Sequence, residues 1–522
     1  MKKIFVVIIF GSLLFAGCKK WVNEEPLSDG TIEQFFKSRF DAEAWMSGMY
    51  GQFQQLMIGE SQFNNRVNFW GDARSDNMEH QSQYSNTNTQ EVHFNSLTAN
   101  NAYADWSGFY RIISTANTAI EKFPEINTYA APGSQDVLSD ANLTSYIAQS
   151  YAMRGICYLW IARVWGDAPI RTQSYKNLAD DPKLPRANKD SVLQQAINDL
   201  TKAYNMIPKG STPTVWYIGE GAMAAALAEC YMWRSPTRDP DYANAILWMK
   251  NVFKAKSPTG KTYNSSGTGA TGSGGSLTDL EATVDWKKQF TDPPSSKEAI
   301  WSIHWDVSAN GCPCMSGVST AVNNTPMRTA SQLFQAWRTD TIDVRPLQTL
   351  DVTKTDNWDR VWKWYPGSFT KTNFKISYTG TYGTGLNVYF PMYRLADIFL
   401  LYAEALNKTG DAVNAVKYLN FVHQRAGLPA YTTAALATQD AREDAILNER
   451  KKELFAEGKR WFDLVRTDKV IQVMDPILIA RQIAQGATPT GWGSDKRRYY
   501  WPLSRNVLNA NPQFTQNPPY TD

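Results

Sequence analysis

The strongest constraint in this sequence is the repeated spacing of apolar residues at intervals of three and four. Trp45, Met49, Phe53 and Leu56 show it over one short segment. This spacing places the apolar side chains on one face of an α-helix, and that face must pack against another element. The pattern therefore predicts a mostly α-helical chain. The further segments with this spacing are residues 106–120, 144–165, 191–205, 219–234, 242–254, 394–407, 412–425 and 439–466.

The predicted helices on either side of Gly410 have the spacing of a tetratricopeptide repeat. Gly410 stands at the turn, and Ala415 follows where a small side chain lets the two helices approach closely. Residues 196–203 and 242–252 repeat the spacing of the second helix more loosely. We therefore expect stacked helix pairs as the scaffold, with irregular repeats.

Two segments lack the helical period. Residues 259–278 contain 15 Gly, Ser or Thr in 20 positions and are predicted to form a flexible loop. Residues 286–365 hold seven of the 19 tryptophans among many turn residues, so we expect loops and short strands packed on the helical layer. Loops carried by a rigid scaffold are where binding residues concentrate.

The N-terminus has the pattern of a secretory signal peptide over residues 1–17. Lys2 and Lys3 precede an apolar stretch of about 13 residues, which is shorter than the roughly 20 that a membrane-spanning helix needs. Cys18 follows the small pair Ala16 and Gly17, which resembles the bacterial lipobox. The resemblance implies cleavage before Cys18 and attachment of lipid to it; the alternative is an ordinary signal peptide with an incidental cysteine.

Charge and cysteine content exclude several function classes. The chain has 53 basic and 50 acidic side chains, a formal net charge of +3, and this gives no field that would gather nucleic acid. Cys157 and Cys230 lie in helical segments and are predicted to be small buried residues. Cys312 and Cys314 form the only close pair, and the four histidines lack ligand spacing, so we predict no metal site and no cofactor. A structural Ca²⁺ ion remains possible but is not indicated.

Three glutamates at four-residue steps are the only arrangement that suggests catalysis. Glu449, Glu453 and Glu457 would share one helix face and could supply an acid and a base. Arg450, Lys452 and Arg460 lie close by in sequence, so we favour a salt-linked helix with a structural role. No nucleophile elbow or phosphate loop is present, and we predict that the chain is not an enzyme.

Several stretches, taken in order, resemble the SusD/RagB family of outer-membrane lipoproteins of Bacteroidetes, and together they cover most of the chain. They are Arg154, Tyr158, Leu159, Gly166, Asp167 and Pro169; Pro185–Arg186; Asn198–Leu200 with Ala203; Tyr393–Asp397; Leu401–Ala405; Arg425–Leu428; Glu449–Arg450, Glu453–Leu454, Glu457–Gly458, Arg460 and Asp463–Leu464; Asn511–Pro512; and Gln516–Pro518.

The resemblance implies a tetratricopeptide-like SusD fold with a minor β component, no catalysis, and a lid-like pairing with a SusC-like TonB-dependent transporter. It also implies a lipid-anchored protein at the outer membrane that faces the cell exterior and captures a nutrient, usually a glycan. We expect one body over residues 18–522, divided into an N-terminal region (18–256), a loop-rich ligand-binding region (257–392) and a C-terminal region (393–522). Peptide import and a tetratricopeptide-type protein-interaction scaffold remain alternatives.

A sugar site needs a flat aromatic ring beneath the C–H face and polar groups at its edge. Two loop regions offer this mixture and provide the candidate ligand-binding residues. The first region contributes Trp70, Asp72, Arg74 and Tyr84, and the second contributes Trp286, Trp305, Trp358 and Trp362. Five other tryptophans lie within helical periods and are predicted to be core residues, namely Trp45, Trp106, Trp160, Trp165 and Trp461.

Overall fold

A computed structural model defines the architecture of most of the chain. It describes residues 35–59, 65–82, 85–175, 181–234, 241–264, 275–306, 326–340, 342–350, 361, 363–364, 368–372, 375–379 and 387–521. The signal peptide, Cys18, Cys312 and Cys314 lie outside the described residues, and so does half of the predicted loop at 259–278, namely residues 265–274.

Helices dominate the described part, as the apolar spacing predicts. They are α1 (Arg39–Leu56), α2 (Arg66–Trp70), α3 (Thr87–His93), α4 (Ser107–Lys122), α5 (Asp140–Val164), α6 (Lys189–Met206), α7 (Glu220–Arg234), α8 (Asp241–Lys254), α9 (Lys288–Thr291), α10 (Ser331–Thr339), α11 (Arg345–Thr349), α12 (Leu395–Lys408), α13 (Ala412–Arg425), α14 (Gln439–Glu453), α15 (Arg460–Arg466), α16 (Val470–Ala484) and α17 (Arg505–Ala510).

The long helices stack in the order of the chain. Helix α4 packs on α5, α5 on α6, α6 on α7, and α7 on α8. Helix α8 then packs on α12, which also contacts α13 and α14. Each helix pair thus buries its apolar face against its neighbours, which is the arrangement of a helical-repeat scaffold. The prediction of stacked helix pairs is confirmed.

Local sequence explains where the helices begin. Helix α1 starts with a capping box, because Ser38 accepts a hydrogen bond from the backbone of Asp41 and the Asp41 side chain accepts one from the backbone of Ser38. Asn188 caps α6 and Thr438 caps α14 in the same way through a side-chain oxygen.

Close helix approach depends on small residues. A Cβ on Gly155 of α5 would lie 2.8 Å from Leu200 Cγ and 3.0 Å from Ala196 O on α6, so only glycine fits there. Helix α7 carries an unbroken run of buried small residues between Ala224 and Ala226. These positions let α7 lie at the centre of the stack with neighbours on both sides.

The β component consists of short antiparallel pairs, as expected for a minor β segment. Strand β1 (Met78–His80) pairs with β3 (Met327–Thr329), and β4 (Ser368–Thr372) pairs with β5 (Lys375–Thr379). The longest pair joins β2 (Ala299–Asp306) to β6 (Asn387–Arg394), with His304 opposite Tyr389.

The single helix expected over residues 439–466 is in fact two helices. Helix α14 ends at Glu453, and the chain turns before α15 because Ala456 and Gly458 have φ values of +65° and +71°. A Cβ on Gly458 would lie only 2.4 Å from Val67 O at the start of α2. The close approach of these two backbones requires the turn, and periodicity within 439–466 does not reveal it.

The predicted core residues are largely in the core. Trp106, Trp160, Trp165 and Trp461 are buried, whereas Trp45 is partly exposed at the edge of the core. Cys157 and Cys230 are buried free thiols, as predicted. Among the residues that the structure describes, none of the helices combines the length and apolar composition that crossing a bilayer requires.

Candidate functional site

Of the five tryptophans proposed as an exposed platform, the three that the structure describes point into the protein. Trp70 and Trp305 are 0% exposed and Trp286 is 2% exposed. Each indole N–H donates to a protein acceptor: Trp70 to Tyr103 O at 3.0 Å, Trp286 to Glu453 Oε1 at 3.1 Å, and Trp305 to Gln54 O at 3.1 Å. The expectation that these rings face outward is wrong, because the space between the loops and the helical layer is filled by large rings.

Asp72 and Arg74, also proposed as ligand contacts, are buried and hydrogen-bond to distant parts of the protein. Asp72 accepts hydrogen bonds from the Asn77 side chain and from the backbone N–H of Gly458, and burial raises its pKa to about 7. Arg74 donates to Tyr499 O at 2.8 Å, and its guanidinium lies 4.1 Å from the centre of the Trp461 ring. Both residues link the segment 72–74 to the C-terminal region. Tyr84, Trp358 and Trp362 lie outside the described residues.

The three glutamates considered for catalysis are held in a buried ionic network. Glu453 accepts from Arg394 Nη1 at 2.7 Å and from Arg425 Nη2 at 2.5 Å. Burial by itself would raise the pKa of Glu453, but its arginine neighbours hold that pKa well below its usual range. Glu457 pairs with Lys363 and Arg394, and Glu449 pairs with Arg345.

The salt-linked interpretation is therefore confirmed, but the predicted partners are wrong. Arg450 binds Asp397 and Asp463, Arg460 binds Asp76, and Lys452 lies near Asp340 and Asp343. The true partners come from α11 (Arg345), strand β6 (Arg394), helix α13 (Arg425) and Lys363, all distant in sequence. Within the described ranges, we find no cluster of three or more His, Cys, Asp and Glu side chains placed to hold a metal ion.

A partly exposed aromatic surface lies instead on the outer face of the β2–β6 pair. Along β2, Trp301, Ile303 and Trp305 face the core, and the alternate residues Ser302, His304 and Asp306 share the opposite face. His304 stands directly opposite Tyr389 of β6, and the two rings are 4.7 Å apart. The strand pair thus offers two neighbouring rings outside the core.

Trp216 completes this surface from the loop between α6 and α7. Its ring centre lies 5.5 Å from His304 and 5.5 Å from Tyr389, at interplanar angles of 34° and 35°. The loop is held in place because Ser302 N donates to Val215 O at 2.9 Å. We call Trp216, His304 and Tyr389 the aromatic cluster. Its three rings are each partly exposed.

A hollow of about 290 Å³ lies beside the aromatic cluster. Tyr217, which is 45% exposed, lines it, and its ring packs on Tyr50 at 4.9 Å. Ser47 and Gln54 contribute polar side chains to the same wall. Burial and the nearby Asp292 and Asp306 raise the pKa of Tyr389. No Lys or Arg occurs among the described residues that line this hollow.

This arrangement combines flat rings with amide, hydroxyl and imidazole groups around an open hollow. Rings can pack against the C–H face of a sugar, and the polar groups can exchange hydrogen bonds with its hydroxyls. The candidates predicted from the sequence do not include Trp216, Tyr217, His304 or Tyr389. One signal was available, because β2 alternates apolar and polar residues and so already separates His304 from Trp305.

Comparison with known proteins identifies the fold and the family. Residues 171–520 match the SusD family, and residues 20–232 match a SusD-like family described as starch-binding associating with outer membrane. The chain belongs to the SusD family. This confirms the resemblance that the sequence motifs suggested, and the family description places SusD-like members at the outer membrane.

Related sequences match over nearly their whole length. The chain is 27% identical to SusD-like protein P38 of Formosa agariphila over 549 residues, covering 99% of this chain and 98% of the relative. It is 25% identical to SusD-like protein P2 of the same species, covering 99% of this chain and 100% of the relative.

Solved structures confirm the fold. A SusD superfamily protein from Bacteroides vulgatus superposes with a TM-score of 0.70 at 18% sequence identity, covering 93% of this chain and 99% of the other. Surface glycan-binding protein A from Bacteroides uniformis superposes with a TM-score of 0.68 at 19% identity, covering 92% and 99%. The mostly α, tetratricopeptide-like architecture is therefore that of the SusD fold.

Proposed function

We propose that this chain is a lipid-anchored carbohydrate-binding protein on the outer face of the outer membrane. It captures oligo- or polysaccharide at the aromatic cluster and passes it to a SusC-like TonB-dependent transporter. Lipid on Cys18 would hold the protein at the membrane. The observation that carries the proposal is the position of Trp216, partly exposed beside His304 and Tyr389 and next to an open hollow lined by both aromatic and polar side chains.

The chemistry of the hollow favours a neutral sugar over an anionic one. A sulfate or uronate group needs a cation, and the described residues that line the hollow include no Lys or Arg. Asp292 and Asp306 both act on Tyr389 and would repel an anion. The expected affinity is about micromolar to millimolar, or roughly 4 to 8 kcal/mol, because few rings and hydrogen bonds contribute. Tethering beside a transporter makes such weak capture useful.

The proposal also assigns the chain no catalytic role. Its support is that the glutamates nearest to an acid–base arrangement are buried in the core and bound to arginines and a lysine. We expect purified protein to release no reducing ends from polysaccharides. Hydrolysis that disappears in Glu453→Gln would contradict this.

Affinity electrophoresis through gels containing soluble starch, mannan, xylan or galactan tests the binding proposal. We expect at least one polymer to retard the wild-type protein and Trp216→Ala to weaken that retardation strongly while its melting temperature stays near the wild-type value. Tyr129→Ala is the matched control, because Tyr129 is 56% exposed and is not part of the aromatic cluster. A folded Trp216→Ala variant with wild-type retardation would contradict the proposal.

A detergent pull-down tests the partner. Recovery of one large β-barrel transporter supports nutrient import, whereas recovery of assorted soluble proteins by a chain that binds no polymer supports the protein-scaffold alternative. Competition by a peptide mixture, with none by oligosaccharides, would support peptide import instead.

A further inference from the structure

A second, larger hollow lies on the described part of the chain and shares no lining residue with the first. Its volume is about 600 Å³, within the range of ordinary ligand sites. It is formed where the first turn of α6 and the end of α7 meet residues 496–500 and 517–518. We propose, on the basis of the carbohydrate-binding function above, that this C-terminal hollow is a second binding site for neutral carbohydrate.

The walls of the C-terminal hollow are held rigidly before any ligand arrives. The Asn517 side chain donates to Trp165 O at 2.9 Å and to Trp501 O at 2.8 Å. Arg186 donates to Asp167 O at 2.9 Å and to Thr515 O at 3.1 Å. Because these bonds join three distant parts of the chain, little ordering entropy is lost on binding, and a shallow site can retain useful affinity.

Two partly exposed aromatic residues line the hollow. Trp233 lies at the end of α7, and its ring is 6.0 Å from Phe462 in an edge-to-face contact. Tyr500 packs over Gly166, where an added Cβ would come within 3.5 Å of its ring, and its hydroxyl accepts a hydrogen bond from Lys189 Nζ at 3.2 Å. The hollow therefore offers ring surfaces of the kind that pack against a sugar face.

The charges around the hollow are balanced. On the exposed rim, Lys496 Nζ lies 2.5 Å from Asp468, and Arg497 Nη2 lies 2.8 Å from Asp495. The other cations that line the hollow also have carboxylate neighbours: Arg234 has Asp241, Arg466 has Glu404, Arg186 has Asp167, and Lys189 has Asp167 and Asp190. Because each of these cations has a carboxylate neighbour, no surplus positive charge remains to select an anion, and the paired groups include both the donors and the acceptors that a polyhydroxylated neutral ligand requires.

Two weak sites on one chain raise the affinity for a polymer but not for a short sugar. Once one segment of a polysaccharide is bound, binding of a second segment becomes intramolecular and the overall affinity rises without new contacts. A single site would give a similar affinity for a polymer and for its short fragment. The proposal thus predicts a stronger preference for polymer than the aromatic cluster alone can produce.

The test compares Trp216→Ala, Trp233→Ala and the double variant in the same polysaccharide gels, with alginate and dextran sulfate added as anionic probes. We expect each single variant to weaken retardation by the retained neutral polymer about tenfold or more, and the double variant to abolish it. Calorimetry of the wild type with a tetrasaccharide of that polymer should give two sites per chain, and Trp233→Ala should give one. Tyr129→Ala again serves as the control.

The outcomes separate this proposal from the one before it. If Trp216→Ala abolishes retention and Trp233→Ala binds every polymer as the wild type does, only the second site is refuted. If no polymer retains the wild type, both proposals fail. Retention by an anionic polymer that disappears in Trp233→Ala refutes the assignment to neutral ligands. If Trp233→Ala lowers the melting temperature, Asp190→Ala is tested in its place, because Asp190 also lines the C-terminal hollow. Unchanged retention of Asp190→Ala would then overturn the second site.

Discussion

Arg394 Nη1 lies 2.7 Å from Glu453 Oε1, and neither side chain is more than 1% exposed. Arg394 begins the C-terminal helical region at the end of β6, and Glu453 is the last residue of α14. Arg425 of α13 also binds Glu453, at 2.5 Å. One carboxylate therefore joins the strand that carries Tyr389 to two helices of the stack, and the same network keeps the glutamates away from solvent.

Breaking this buried pair should be costly. Arg394→Met leaves Glu453 and Glu457 with one partner fewer in the core, and we expect the free energy of unfolding to fall by about 3–5 kcal/mol. Denaturant titration followed by circular dichroism measures it. Lys122→Met is the control, since its pair with Glu125 is on the surface and should contribute about 0–1 kcal/mol. An Arg394→Met variant as stable as the control variant would refute the structural role of the network.

The turn between α14 and α15 makes a second prediction. Gly458→Ala should destabilise the protein far more than Gly410→Ala, although both glycines have positive φ. At Gly410 a Cβ meets nothing within 4 Å, so the cost is the backbone strain of about 1–2 kcal/mol. At Gly458 the Cβ also clashes with Val67 O. Equal melting temperatures for the two variants would show that the close backbone approach is absent.

Asp72 should give the protein a measurable pH dependence. Its pKa is raised to about 7 in the folded state by burial, against about 4 in the unfolded chain. The folded protein then binds the proton more tightly, so this group lowers stability as the pH rises from about 4 to 7. Asp72→Asn removes the effect and retains an oxygen that can accept from Gly458 N.

The measurement is denaturant unfolding of the wild type and Asp72→Asn at several pH values. The variant should gain stability relative to the wild type by about 1 kcal/mol per pH unit between pH 5 and 7. Asp140→Asn, at the exposed start of α5, is the control and should track the wild type. A constant difference between Asp72→Asn and the wild type across this range would show that Asp72 is not held in a raised-pKa environment.

Trp305→Ala should show whether Trp305, which directly follows His304 of the hollow wall, is a core ring or a surface ring. Trp305 is fully buried and bonded to Gln54 O, so its removal should cost about 3–5 kcal/mol. Thermal and denaturant unfolding of Trp305→Ala and Trp216→Ala, side by side, measure the contrast. A stable Trp305→Ala variant that loses polymer binding would mean that the ring faces the ligand after all.

The helical part of the fold could be predicted closely because helical periodicity is local. The spacing over residues 144–165 predicts a helix that the structure places at Asp140–Val164, and 412–425 coincides with α13. Helix α16 was missed, because Pro476 interrupts its pattern and proline normally ends a helix. Its buried residues follow a single stripe through Val470, Met474 and Leu478.

The site was harder to predict because burial depends on contacts between distant segments. Nothing near Trp286 in sequence shows that its indole meets Glu453. Likewise, the partners of the glutamates come from β6 and α13, whereas the neighbouring Arg450 and Arg460 bind other carboxylates. Trp216 lies in a short turn between two strongly helical segments, outside the loop-rich region where binding residues were expected.

The most direct test of the account is a crystal structure of the protein with an oligosaccharide of the polymer that retains it in gels. The account predicts a sugar ring packed on Trp216 or Tyr389, with its hydroxyls bonded to polar groups of the adjoining hollow. An oligosaccharide bound elsewhere on the chain, with Trp216, His304 and Tyr389 all untouched, would contradict it.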